Sequence, residues 1–185
     1  MSFTLGGGLQ LINNARLSSV PLLPLLDAGD FEGAVITDNP MLTSVPSLAH
    51  VERVRFSIGV ARNAQLGQLP LPALQWIEGD LNVTDSPSLT SLALPALEHA
   101  AALGINSNAV LQTLEAPALV DARDQLFIFQ NPRLRHVVFD ALTRSNAFEV
   151  SGNPKLPSCE LLGIFAHVTG FHHQSGNDDT ATCGI

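Results

Sequence analysis

The chain has 185 residues, 45% of them hydrophobic and only 14% charged, with nine Phe, one Trp and no Tyr. Its formal charge of −8 and isoelectric point near 5.0 argue against nucleic acid and anionic membrane as partners, because both require basic patches. No stretch reaches the roughly eighteen apolar residues of a membrane-spanning helix; the strongest run, Val20 to Leu26, is broken by Pro21 and Pro24.

The start, Met-Ser-Phe-Thr-Leu-Gly-Gly-Gly-Leu, has neither the basic opening nor the apolar stretch of a secretory signal. Phe3, Leu5 and Leu9 suggest a partial first coil or an array cut from something longer. A repeat then begins. Asn14, Asn39, Asn63, Ser86, Asn108, Asn131, Asn153 and Asn177 follow one another at steps of 25, 24, 23, 22, 23, 22 and 24 residues. Self-similarity at this period marks a solenoid in which each repeat is one coil stacked on the last.

Apolar columns accompany the asparagines. Five and three residues before each stand Leu9 and Leu11, Ala34 and Ile36, Ile58 and Val60, Leu81 and Val83, Leu103 and Ile105, Leu126 and Ile128, Phe148 and Val150. That alternation predicts a short strand with one buried face in every coil. Three residues after the asparagine comes Leu17, Leu42, Leu66, Leu89, Leu111, Leu134 or Leu156, and six after it Val20, Val45, Leu69, Leu92, Leu114, Val137, Cys159 or Cys183. A second apolar corner follows at Leu25, Leu48, Leu74, Leu97, Leu119 and Leu142. Pro40, Pro87, Pro132 and Pro154 fix φ at the turn, and a buried amide there supplies donors and an acceptor to inward-facing backbone. The asparagines therefore read as a structural ladder. Coil 4 departs with Ser86, and the last coil departs with His172 and Gln174 where aliphatics belong, which predicts a frayed strand.

Cys159 and Cys183 occupy one column of successive coils, about 4.8 Å apart for equivalent Cα atoms, inside the span a disulfide bridges. A disulfide implies an oxidising compartment and hence an extracellular or cell-surface location, with any leader outside this chain. Pro157-Ser158 before Glu160 predicts a helix over about 159–168 with Ser158 as its N-cap, closed by Gly170 and lying over the last coils.

At Leu-Gly-Ile-Asn-Ser-Asn-Ala-Val-Leu-Gln-Thr-Leu-Glu-Ala-Pro-Ala-Leu (103–119) and Leu-Phe-Ile-Phe-Gln-Asn-Pro-Arg-Leu (126–134) the chain resembles the leucine-rich repeat of receptor L domains. The segment Gly-Asn-Pro-Lys-Leu-Pro-Ser-Cys (152–159), with Ser-Gly-Asn-Asp-Asp-Thr-Ala-Thr-Cys (175–183), is similar to the close of bacterial secreted proteins carrying such repeats. The resemblance spans residues 9–183. It implies a single right-handed β-helix over residues 1–185, a mainly-β solenoid of about eight coils with a short carboxyl-terminal helix, and varied ligands.

Little in the sequence carries chemistry. His172-His173 with Asp178-Asp179 lacks any strict metal-ligand spacing and reads as a solvated turn. The acids Asp27, Asp30, Asp80, Asp121, Asp124 and Asp140 are scattered, whereas glycoside chemistry needs two converging carboxylates. Gly6-Gly7-Gly8 lacks the lysine of a phosphate loop, and Asn82-Val83-Thr84, a formal glycosylation sequon, lies on a predicted strand. No catalysis, cofactor or metal is expected. The informative surface is the outward face of the strands, where Phe127 and Phe129 project together near Asn106, Thr84 and Asn82 and only Glu149 is charged. An uncharged face with an aromatic pair predicts recognition or adhesion toward a protein, a glycan or a second copy of the chain. The alternatives are a structural spacer in a larger envelope protein and a carbohydrate-active β-helix enzyme.

Overall fold

A computed structural model describes residues 7–20, 31–166 and 168–183; the expectations that rest on Phe3, Leu5, Gly6, Leu25, Asp27 and Asp30 lie outside them. The structure is a mainly-β solenoid of about seven turns with one short helix. Eight strands form the rungs of its large parallel sheet: β1 (Gly8–Ile12), β2 (Gly33–Thr37), β4 (Ile58–Ala61), β5 (Trp76–Thr84), β7 (His99–Asn106), β9 (Asp121–Phe129), β11 (Arg144–Ser151) and β12 (Thr169–Ser175). The two-residue β3 (Arg53–Val54) pairs with β5. On another side, β6 (Ser91–Ala93), β8 (Thr113–Glu115) and β10 (His136–Val138) make a second, three-stranded parallel sheet. The described residues include no helix long and apolar enough to cross a membrane.

The repeat columns become physical columns. Leu66, Leu89 and Leu111 are fully buried, as are Leu48, Leu74, Leu97, Leu119 and Leu142 at the second corner, and all join one continuous apolar core. Both corners are hydrogen-bonded turns. At the first, the N–H of the leucine three residues on donates to the asparagine carbonyl, as from Leu42 to Asn39 (3.1 Å) and from Leu134 to Asn131 (3.0 Å). Proline at the position after the asparagine suits such a turn because its φ is already set.

Asn39, Asn108, Asn131 and Asn153 each tie three coils. The Asn131 amide nitrogen donates back to the Ile105 carbonyl (2.8 Å) and to its own strand at Phe129 (3.1 Å), while its backbone N–H donates forward to Asn153 Oδ1 (3.0 Å). The same pattern links Asn14 to Asn39, Asn39 to Asn63, Ser86 to Asn108, Asn108 to Asn131 and Asn153 to Asn177. Ser86 interrupts it. Its hydroxyl reaches only the Thr84 carbonyl (3.3 Å), so the backbone N–H of Asn63 gains no side-chain acceptor from the next coil.

A second column precedes the ladder. The residue before each turn position has positive φ at Asn13, Asp38, Arg62, Asp85, Ser107 and Gln130, and glycine stands there at Gly152 and Gly176. Left-handed backbone costs a non-glycine residue about 1–2 kcal/mol, and Asn and Asp tolerate it best.

The uneven step has a local cause. From each turn residue to the first paired residue of the next long strand (Asn63 to Trp76, Ser86 to His99, Asn108 to Asp121, Asn131 to Arg144) the spacing is thirteen in every case. The variation is taken up by irregularities inside the strands, between Ile77 and Asp80, Ala100 and Ala102, and Ser145 and Ala147. Side chains beyond each bulge return to register.

The carboxyl end differs in detail from expectation. The helix α1 is Ser158–Phe165, and its N-cap is Pro157 with no side-chain cap. Ser158 instead donates its hydroxyl to Asp179 in the next coil. The helix continues the column of β6, β8 and β10, with Leu161 buried and Phe165 edge-on to Phe148 at 4.9 Å. It thus stands in the wall of its coil. Gly170 does not close the helix, which ends at Phe165; it lies in β12 at φ +116°. Nor is β12 frayed: six of its residues pair in parallel with β11, although its side chains are mostly exposed. Cys159 and Cys183 are disulfide-bonded, with Cα atoms 5.9 Å apart.

Two stability outcomes follow from the ladder and the staple. Asn108→Ala removes bonds to Ser86 and Val83 and should lower unfolding free energy by about 1–3 kcal/mol, whereas Ser86→Asn, which completes the ladder, should raise it by about 1 kcal/mol in urea unfolding. Replacing both cysteines by serine opens a 24-residue loop and should cost about 3 kcal/mol through loop-closure entropy. Unchanged denaturation midpoints would refute either account.

Candidate recognition face

Burying the positions five and three before each turn directs those four and two before it outward. Strand register carries both outward columns through all eight rungs. One holds Gln10, Val35, Gly59, Asn82, Gly104, Phe127, Glu149 and His173; the other holds Ile12, Thr37, Ala61, Thr84, Asn106, Phe129, Ser151 and Ser175. The five residues picked from the sequence, Asn82, Thr84, Asn106, Phe127 and Phe129, therefore lie on one face of three adjacent strands, β5, β7 and β9.

Phe127 and Phe129 are half-buried and stand outside the apolar core. Their rings stack with centroids 5.2 Å apart and planes 23° from parallel, forming one apolar block. Beside Phe129, Asn106 accepts the Phe129 backbone N–H on Oδ1 (3.0 Å), which fixes its amide. Beside Phe127, the neighbouring strand has Gly104. The Asn82 amide lies over that glycine: a Cβ there would stand 2.2 Å from Asn82 Oδ1 and 3.6 Å from Asn106 Nδ2. The Asn82 amide thus fills the place a side chain would take at position 104, and Gly104 is buried beneath it. Thr84 turns its hydroxyl to Asp85 (3.2 Å) at the rim. At the amino-terminal end of the face a shallow concavity of about 360 Å³ is lined by Gly8, Gln10, Glu32, Gly33, Val35, Phe56 and Ser57.

Charge gathers at the edges. Arg62 grips Asp38 through two nitrogens (2.8 and 2.7 Å) and also donates to Thr37 Oγ1 (3.0 Å). The guanidinium holds the Asp38 carboxyl below its usual range, and Asp38 with Asp85 raises Arg62 in turn. Hydrogen bonds from the Thr180 hydroxyl and N–H likewise lower Asp178, which caps its own turn as the sequence suggests. His172 stacks on Phe165 at 5.0 Å, and no group of three metal-ligating side chains converges among the described residues.

One constellation escapes the sequence reading. Trp76, His99, Asp121 and Arg144 are register neighbours at the start of successive long strands, and Arg53, in the short β3, pairs with Trp76. Arg53 sits over the Trp76 ring (5.3 Å), Trp76 packs against His99 (4.3 Å between centroids), and His99 Nδ1 meets Asp121 Oδ2 at 3.0 Å. Arg144 donates to the same oxygen at 3.3 Å, and Asp121 Oδ1 is buried without a partner. These residues sit nine or ten positions before the turn, so the bulges hide their alignment; a count of thirteen forward from the preceding turn reveals it for all but Arg53, which is fourteen from Asn39.

Comparison of the chain with family models, with curated proteins and with solved structures finds no match.

Because the folded Asp38 value is depressed, its favourable interaction with Arg62 is present above the ordinary carboxylate range and is lost as pH falls through the folded value. Arg62→Gln should raise the Asp38 titration midpoint, followed by side-chain NMR, to that of an ordinary carboxylate; an unmoved midpoint contradicts the assignment.

Proposed function

We propose that this protein is a non-catalytic recognition or adhesion module that engages its partner through the outward face of the large sheet, centred on Phe127 and Phe129. The carrying observation is the stacked phenylalanine pair left half-exposed outside the core, in columns where the only other large apolar side chains are Val35 and Ile12 toward the amino-terminal end. Large aromatic side chains flanked by polar groups are where binding energy concentrates in interfaces. The Cys159–Cys183 disulfide supports an extracellular or cell-surface setting, since such bonds persist in oxidising compartments. The asparagine-turned coils are in keeping with the resemblance to receptor L domains, a family with varied ligands.

The test is a double variant. Phe127→Ser with Phe129→Ser should abolish capture of partners from panels of surface proteins and immobilised glycans. The melting temperature should stay within about 3 °C of wild type, as expected for changes outside the core. A large loss of thermal stability would show instead that the rings are structural, and retained capture would place the contact elsewhere.

A further inference from the structure

We infer that the chain stacks end to end on a second copy of itself, with β12 of one copy pairing in parallel with β1 of the next and the asparagine ladder running on across the joint. This contact lies at the two ends of the solenoid, apart from the sheet face proposed for recognition.

The ladder has a direction, and its two ends match. Between coils, the N–H of the left-handed residue donates to the carbonyl two residues before the next turn, as from Asn13 to Thr37 (3.1 Å) and from Gly152 to Ser175 (2.9 Å). The N–H of the turn residue donates to the next asparagine's Oδ1, as from Asn153 to Asn177 (3.2 Å). At the carboxyl end the equivalent donors are the N–H groups of Gly176 and Asn177, and among the described residues neither has an acceptor. At the amino end the equivalent acceptors are the Ile12 carbonyl and Asn14 Oδ1, and among the described residues neither receives such an N–H. Later asparagines also reach back to the carbonyl three residues before the preceding turn, as Asn39 does to Leu11 (2.8 Å) and Asn177 to Val150 (3.0 Å). Asn14 reaches only Ile12 of its own strand and Asn39. Gln174 of another copy would supply the missing carbonyl. Two donors and a carbonyl at one end thus answer two acceptors and an amide at the other.

Side chains fit the same register. Below the bulges, paired residues keep a fixed distance from their turns, as Ile12 does with Thr37 and Ser151 with Ser175. Continued by one coil, that rule sets Ser175, His173 and Phe171 beside Ile12, Gln10 and Gly8 of the next copy. Phe171, 58% exposed, then meets Gly8 and its pair Gly33, which line the concavity of about 360 Å³ at that end. Asp179 and Arg16, both exposed, each stand two residues after their turns, so the joint brings opposite charges together. Neither Gly8–Ile12 nor the run from Phe171 to Ser175 carries a fixed charge or a proline, the devices that ordinarily keep sheet edges from pairing. His172 and Gln174 come to lie over Leu9 and Leu11, so the joint is more polar than an internal one and association is reversible. Because the two ends differ, the contact is heterologous and the stack open-ended.

Sedimentation velocity of the whole chain over a concentration series tests the joint: species heavier than the 19.6 kDa chain should grow with concentration. Phe171→Lys, a change at an exposed position, should raise the concentration needed by roughly tenfold while leaving the circular dichroism spectrum unchanged. Cross-linking reads the direction. Chains carrying His173→Cys, mixed with chains carrying Gln10→Cys, should form a disulfide-linked pair on mild oxidation, since neighbouring rungs hold equivalent Cα atoms about 4.8 Å apart. A monomer at every concentration, undiminished assembly of Phe171→Lys, or covalent pairs formed as readily by either cysteine variant alone overturns the inference. The variant with Phe127→Ser and Phe129→Ser should assemble as wild type does; its failure to do so would move the self-contact to the sheet face and refute the joint.

Discussion

Everything in this solenoid depends on coils stacking in register at the asparagine turn. A strand that turns sharply strands its last inward carbonyl beneath the next coil, where no water reaches it and no ladder partner is due. The asparagine solves this in both directions. Its amide nitrogen takes the carbonyl of the coil behind, as Asn153 does for Ile128 (3.0 Å), and its oxygen takes the N–H of the preceding turn, as from Asn131 (3.0 Å). Each bond requires the neighbouring asparagine to occupy the equivalent place. The ladder therefore enforces alignment as well as satisfying polar groups. A slip of one residue in any coil would unseat two turns and invert a strand's buried face.

That constraint explains why the period wanders without spoiling the outer face. Residues are added where they do least damage, between the first paired position of each long strand and the run that leads into the turn. Upstream of the bulge the column Trp76, His99, Asp121 and Arg144 aligns on one count, with Arg53 one residue off it; downstream, Asn82, Gly104 and Phe127 align on another. The bulges decouple the two, so both surfaces stay regular in coils of unequal length. Helix α1 does the same on the opposite side, adding residues between Asn153 and Thr169 while the strand and turn that follow keep their pairing with β11.

Much of this was legible in the sequence, because a stacked coil writes its contacts at a fixed period. The inward pairs, the two corners, the disulfide and the face holding Phe127 and Phe129 all came from counting relative to the asparagine. The unread features are those the count does not reach. Left-handed residues before the turns were available in part, since Asn13, Asp38, Asp85, Gly152 and Gly176 suit that conformation, but Arg62, Ser107 and Gln130 mask the column. Ser158 was read as a cap from local propensity, and a tertiary partner, Asp179, took its hydroxyl instead. The last strand was read as frayed because His172 and Gln174 are polar. Backbone pairing with β11 holds it regardless, since an end rung covers only one side of the core. The role of Gly104 was invisible because it depends on where the Asn82 side chain falls, not on any spacing.

The outward face of the large sheet gains its freedom from the same ladder. With the fold secured by inward leucines and turn amides, the outward columns carry no packing duty, and their composition reflects other demands. On a chain of net charge −8, a random outward strip would collect acids. Instead the acids lie at the turn edge, as Asp38 and Asp85 do, or in the bulges, as Glu78 and Asp124 do, and the strip from Gln10 to Phe129 holds amides, hydroxyls, small residues and apolar side chains. Solubility alone would favour charge in those positions, and stability is indifferent to them. Two phenylalanines on adjacent outward positions of one strand, stacked on each other beside the amide of Asn106, are costly to leave in water. A surface that covered the rings would remove that cost, provided it left no polar group beside them unpaired.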